Sequence, residues 1–262
     1  MRLRLALTLN LTGDTRPEAR TVLNELLQEQ VAAHAENSPS HALALRHLSS
    51  VEVRSAHFHE GLVYAEQALA SARNTFGNDA PAVGEALNQL GNAETNTGLP
   101  KQAAEHFMQA REIFQRYGMR ALAVGMFYNS AIVYNEQLRD LKKAEEYARS
   151  AAAGFGEVLG KGSNNVLIAE GILIDVLMQE HRYDEAQQLL ERSLHFWEKV
   201  DPTLENMGPL WGDMAVVRHA QGRDDEARKL LEQALPPLDK YTDPDSHYRI
   251  RAHALAKQLH MG

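Results

Sequence analysis

Apolar residues along the chain recur at helical spacing in paired runs. In residues 87–110, LNQLGNAETNTGLPKQAAEHFMQA, the residues Leu87, Leu90 and Gly91 stand at i, i+3 and i+4 and share one helix face. Gly98, Leu99 and Pro100 interrupt that pattern, and Ala103, Phe107 and Ala110 resume it. Two short amphipathic helices joined by a tight turn make an αα-hairpin. Gly91 and Ala103 fall where the two helices cross, and their small size lets the backbones approach.

The second half of this pattern repeats. The alanine that opens the second helix reappears as Ala65, Ala103, Ala144, Ala186 and Ala227, at spacings of 38, 41, 42 and 41 residues. Four residues after each come Leu69, Phe107, Ala148, Leu190 and Leu231, and seven residues after each come Ala72, Ala110, Ala151, Ser193 and Ala234. The preceding helices offer Leu48/Val51, Leu87/Leu90, Phe127/Ala131, Leu173/Ile174 and Trp211/Met214/Ala215 as inward positions. The spacing predicts five hairpins, with helices at 41–58 and 61–72 in the first and the others at 83–117, 122–159, 165–200 and 207–238. The turn of the third, at 138–143, is one residue longer than that of the second. Pro236 and Pro237 are expected to end the last hairpin, because proline cannot donate to the helical ladder.

This layout resembles the tetratricopeptide repeat, whose pattern runs from an aromatic residue or Leu through Leu-Gly to Ala, a large apolar residue and Ala. Residues 87–110 carry it, and so does the final hairpin through Trp211, Gly222, Ala227, Leu231 and Ala234. The period near 41 exceeds the family's usual ~34 residues and is similar to the longer repeats of kinesin light chains and many bacterial interaction proteins. The resemblance implies an all-α fold, an α-solenoid in which the hairpins stack as a right-handed superhelix. The domain plan is then a leader at 1–14, a helix and linker at 15–40, five repeats at 41–238 and a capping helix at 239–262.

The flanks read differently from the repeats. Residues 2–11 alternate strictly, with leucines at 3, 5, 7, 9 and 11, which is a strand period ahead of helices. Two readings stand: a frayed or helical leader, and a short N-terminal strand that pairs either with a second copy, to make a homodimer, or with a separate partner domain. Arg4, Thr8 and Asn10 interrupt this tract, so a secretory signal is not expected. A helix from about Thr15 to Ala35 follows, with Pro17 in its first turn and Val22, Leu23, Leu26 and Leu27 inward. At the other end a last helix over 246–260 carries His247, Arg249, Arg251, His253 and Lys257, with Ile250, Ala254 and Leu255 on its apolar side.

Composition narrows the function. The chain has 262 residues, a formal net charge of −8 and no cysteine. A negative surface with no Lys/Arg run argues against nucleic-acid binding. The missing cysteines exclude disulfides, thiol nucleophiles and thiolate metal ligands and suit a cytoplasmic setting. No apolar run approaches the ~20 residues of a membrane span. Of the twelve histidines, the densest group is His57 and His59, whose i, i+2 spacing turns them about 200° apart on a helix. No pair has the i, i+4 spacing of helical metal sites. Phosphate-binding loops and nucleophile elbows are absent as well, so neither cofactor nor catalysis is expected. A His-dependent metalloenzyme is the competing class.

The resemblance instead directs attention to the first helix of each hairpin, which in this family lines a concave groove. Carried onto this chain, the groove presents Arg46 and Ser49, then Glu85, Asn88, Gln89, Asn92, Thr95 and Asn96, and then Tyr128, Asn129, Ile132, Asn135 and Glu136. Asp175, Met178 and Gln179 follow, and the last hairpin adds Asp213, Val216 and His219. Asparagine both donates and accepts, so a row of them can bond the backbone of an extended peptide. The expected site is Asn88, Gln89, Asn92, Asn96, Tyr128, Asn129, Ile132, Asn135 and Asp175. The cations of a dicarboxylate clamp are missing beside it. The resulting expectation is a non-catalytic adaptor that binds a protein or peptide partner. A peptide-sensing regulatory receptor acting through a partner protein is the alternative.

Overall fold

The computed structural model describes residues 15–200 and 204–261, all helix and turn. The leader at 2–11 therefore lies outside the described residues. Twelve α-helices are present among the described residues: α1 Arg16–Ala32, α2 Pro39–Arg54, α3 Phe58–Phe76, α4 Pro81–Asn96, α5 Pro100–Arg116, α6 Arg120–Ile132, α7 Leu141–Leu159, α8 Asn164–Gln179, α9 Tyr183–Val200, α10 Leu204–Ala220, α11 Asp224–Tyr241 and α12 His247–Gln258. A π-helical turn, Val133–Gln137, follows α6 directly. The chain divides into two compact units, Met1–Ala169 and Glu170–Gly262. Both are built of antiparallel helix hairpins, and the fold class is the all-α solenoid expected from the repeats.

One turn design joins the helices of the hairpins. Three residues connect them, and the middle one takes a left-handed backbone: Ala56 (φ 62°), Gly98 (φ 76°), Arg139 (φ 54°), His181 (φ 59°) and Gly222 (φ 74°). The residue after it returns its amide to a carbonyl five back, as in His57 to Glu52 (2.9 Å), Leu99 to Glu94 (2.9 Å), Arg182 to Leu177 (2.8 Å) and Arg223 to Arg218 (2.8 Å). This bond satisfies a carbonyl that the helix end would otherwise leave open. In the third hairpin the equivalent bond reaches six back, from Asp140 to Tyr134 (3.0 Å). The residue that the sequence adds there sits in the π turn, and the three-residue connection is kept.

In the first unit the repeated small–large–small pattern faces inward. Ala65, Ala103, Ala144, Ala148 and Ala151 are fully buried, and Leu69, Ala72, Phe107 and Ala110 are at most 6% exposed. Helix α1 adds Ala19 and Leu23 against Ala44, Leu48 and Val51 of α2, so the first hairpin does not end the stack. Pro39, Pro81 and Pro100 begin α2, α4 and α5, where a missing N–H costs nothing.

The second unit keeps the same register. Ala186, Leu190, Ala227, Leu231 and Ala234 are fully buried, and Ser193 is 3% exposed. Two details differ from the sequence reading. Helix α11 does not stop at Pro236 and Pro237 but continues through both to Tyr241. Pro237 and Leu238 are buried, and Leu238 packs with Ala252, Leu255 and Leu259 of the capping helix, which holds the last turn despite the lost ladder bonds. Helix α12 is also rotated from the expected face. Ile250 is 56% exposed and Ala254 is exposed, while Ala252, Leu255, Ala256 and Leu259 form the contact.

Candidate protein-binding surface

In the first unit, side chains on the first helices of successive hairpins bond one another at one-repeat intervals. Gln89 Nε2 on α4 donates to Ser49 Oγ on α2 (3.0 Å), and that hydroxyl donates to the Gly61 carbonyl (2.7 Å). Asn129 Nδ2 on α6 donates to Asn88 Oδ1 on α4 (2.9 Å), and Gln137 Nε2 donates to the Thr95 carbonyl (3.0 Å). Arg46 on α2 pairs with Glu85 on α4 at 3.0 Å. The helical register produces this ladder, because residues one repeat apart meet at the same height on neighbouring first helices.

The structure thus brings Asn88, Gln89 and Asn129 together as half-buried members of one ladder. Asn92 is also half-buried on α4, and its carbonyl accepts from Asn96 Nδ2 at 2.8 Å. Asn96 itself is exposed. Tyr128 and Ile132 are half-buried on α6, and burial, followed by the charge of Glu136, pushes the Tyr128 hydroxyl above its usual range. Asn135 is only 5% exposed, because the π turn rotates it inward. Beside the ladder, a cavity of about 220 Å³ opens between α2, α3 and α4, with Leu43, Phe76 and Ala82 in its wall and the Arg46–Glu85 pair at its edge.

The remaining predicted residue, Asp175, lies in the second unit and is already engaged. Asp175 is 8% exposed and Asp213 is 3% exposed, one on each of α8 and α10. Arg251 of α12 reaches both: its Nη2 stands 3.2 Å from Asp175 Oδ1 and also donates to Asp213 Oδ1. The Tyr248 hydroxyl donates to Asp175 Oδ2 at 3.2 Å, and His247 Nε2 lies 3.2 Å from the same oxygen. Burial first, and then the charge of Asp175, push the Asp213 carboxyl up to about 7 against the opposing pull of Arg251. The hydrogen bond to Asp175 raises the His247 pKa. The sequence pattern puts Arg251 and His247 opposite the apolar side of the last helix and names no partner for them. The only hint in the sequence was one acid on each of two successive groove helices, followed by a cationic last helix.

Several histidines stand singly against carboxylates. His57 stands in the first hairpin turn with its Nδ1 2.9 Å from Glu52 Oε2, and His106 pairs with Glu94 at 2.7 Å. His219 pairs with Asp224, and His253 with Asp239, each at 2.7 Å. Among the described residues no group of three or more His, Asp or Glu is placed to hold a metal ion. No described helix is long and apolar enough to cross a membrane.

Comparisons with known proteins agree with this geometry. No curated protein sequence matches the chain. Among solved structures, BtubC (BKLC) from P. vanneervenii superposes with a TM-score of 0.71 at 18% identity, covering 88% of this chain and 95% of its own. The kinesin light chain TPR-like repeats of Podosopora anserina give 0.65 at 18% identity, covering 77% and 96%. A Rap protein complexed with competence and sporulation factor gives 0.61 at 17% identity, covering 97% and 70%. The family pattern described as tetratricopeptide repeat matches residues 42–116 and 166–236. The stretch between them holds α6, the π turn and α7. With more than half its residues matched, and with the hairpin turn, the buried alanines and the inter-repeat ladder in place, the chain belongs to the tetratricopeptide repeat family.

Proposed function

We propose that the chain is a non-catalytic protein-binding scaffold whose first unit takes an extended segment of a partner along α4 and α6. The observation that carries this reading is the Asn129–Asn88 hydrogen bond. It uses one amide hydrogen of Asn129 and one lone pair of Asn88. The Asn88 Nδ2 donors and the Asn129 Oδ1 acceptor remain for a ligand, and a main-chain peptide group needs one of each. Asn92 and Asn96 extend the polar row by one and two turns of α4, and Tyr128 and Ile132 flank it with apolar surface. The Rap protein of similar fold was crystallised with competence and sporulation factor, which supports the reading by fold alone.

The test begins with partners captured by the purified full chain, followed by titration calorimetry with the bound segment. Each hydrogen bond to the ligand contributes on the order of 1 kcal/mol. Asn88→Ala combined with Asn129→Ala removes both sides of the ladder bond together and should weaken binding about tenfold or more. Unchanged affinity in the folded double variant would refute the assignment of this face.

A further inference from the structure

Within the second unit, the capping helix does more than cover apolar surface. Its apolar anchors, Ala252, Leu255, Ala256 and Leu259, lie along its later turns. Its first turns are held instead by His247, Tyr248 and Arg251 on two carboxylates that belong to different repeats. Asp175 stands six residues before His181 and Asp213 nine before Gly222, so the two acids sit about one helical turn apart in repeat register on α8 and α10, the first helices of successive hairpins. A guanidinium seated between them identifies the chemistry that the pair accepts: a planar cation with several donors.

The resident arginine fits this place only in part. Both of its carboxylate contacts run through the single nitrogen Nη2, and its Nε is buried with no hydrogen-bond partner. The Tyr248 ring backs it, with the guanidinium carbon 5.6 Å from the ring centroid. A guanidinium not tethered to α12 could turn its fork of donors toward each carboxylate, the bidentate geometry that Arg251 does not reach. The raised Asp213 carboxyl fits this picture: its burial, together with the charge of Asp175, outweighs the pull of Arg251.

We propose that Asp175 and Asp213 form an arginine-receptor site in the second unit, which the first turns of α12 keep closed by supplying Arg251. An arginine-bearing segment of a partner protein opens it by taking the place of Arg251, while the later turns of α12 stay anchored. This site is independent of the Asn88–Asn129 face and recognises a side chain rather than a main chain.

Two measurements on the full-length chain test the two halves of the proposal. In Arg251→Ala, methylguanidinium should raise the thermal midpoint saturably, with an affinity about fivefold or more above that of methylammonium, because only the former offers the planar fork. The parent chain should show no such effect. If Arg251→Ala does not fold, Arg251→Gln takes its place in the same titration. Equal response to the two cations would overturn the receptor site. In the parent chain, the synthetic peptide SHYRIRA should speed hydrogen exchange of the first-turn amides of α12, and the same peptide with lysine at both arginines should not. Unchanged exchange with SHYRIRA would overturn opening by a partner, even if the receptor site stands.

Discussion

Gly91 and Phe107 meet where α4 crosses α5, and this contact sets how closely the second hairpin closes. A Cβ built on Gly91 would lie 2.6, 2.9 and 3.0 Å from three carbons of the Phe107 ring. The ring is 1% exposed and sits in a core with Ala103, Ala110 and Phe114 around it, so it has little room to retreat. Two effects oppose each other in Gly91→Ala. Replacing glycine inside a helix gains about 1 kcal/mol of backbone propensity, whereas overpacking a filled core costs about 1–3 kcal/mol. The clash wins, and a net loss of about 1 kcal/mol is expected. In a Phe107→Leu background the ring carbons are gone, and the same Gly91→Ala change should stabilise by about 1 kcal/mol. Urea unfolding followed by circular dichroism on the parent, both single variants and the double variant gives the coupling directly. Its expected size, about 1–3 kcal/mol, lies within the range for residues in contact. If Gly91→Ala shifts stability equally in both backgrounds, the Gly91–Phe107 contact does not set the crossing.

Two further outcomes follow from the turns and from the buried acids. Ala56 is exposed and holds φ 62° in the first hairpin turn, so Ala56→Gly should relieve left-handed strain and stabilise by about 1 kcal/mol in the same urea assay. For pH, the Asp213 carboxyl stands at about 7 in the folded chain, above its ordinary 3.8, and His247 is raised as well. Groups raised on folding contribute stability that is complete below the unfolded pKa and lost as pH rises through the folded one. The urea midpoint should therefore fall between about pH 4 and pH 7 as Asp213 titrates, with His247 carrying the fall on above its ordinary 6.5, and Asp213→Asn should flatten the lower part, by up to about 1.4 kcal/mol per pH unit for one full proton. A slope unchanged by Asp213→Asn would show that this carboxyl is ionised throughout.

Much of this protein follows from local pattern. A helix buries one stripe, so Ala65, Ala103, Ala144, Ala186 and Ala227 with their partners at +4 and +7 announce the hairpins and their inward faces. Gly98 and Gly222 announce two of the turns, because glycine takes a left-handed backbone without strain. The turns at Ala56, Arg139 and His181 carry no such mark, since there the packing of two helices imposes the conformation on residues that do not favour it. The π turn after α6 is likewise hidden: an added residue is visible as spacing, but whether the loop or the helix absorbs it depends on the fixed separation of the helices it joins. Continuation of α11 through Pro236 and Pro237 depends on what Leu238 finds beyond them, and that is α12. The candidate surfaces divide in the same way. Register alone placed Asn88 and Asn129 on first helices, and their meeting across one repeat follows from the stacking. That Arg251 reaches back 76 residues to Asp175 and 38 to Asp213 is set by how the last helix turns as it docks. Long-range electrostatic partners have no periodicity to betray them, so only the tertiary structure could decide that contact.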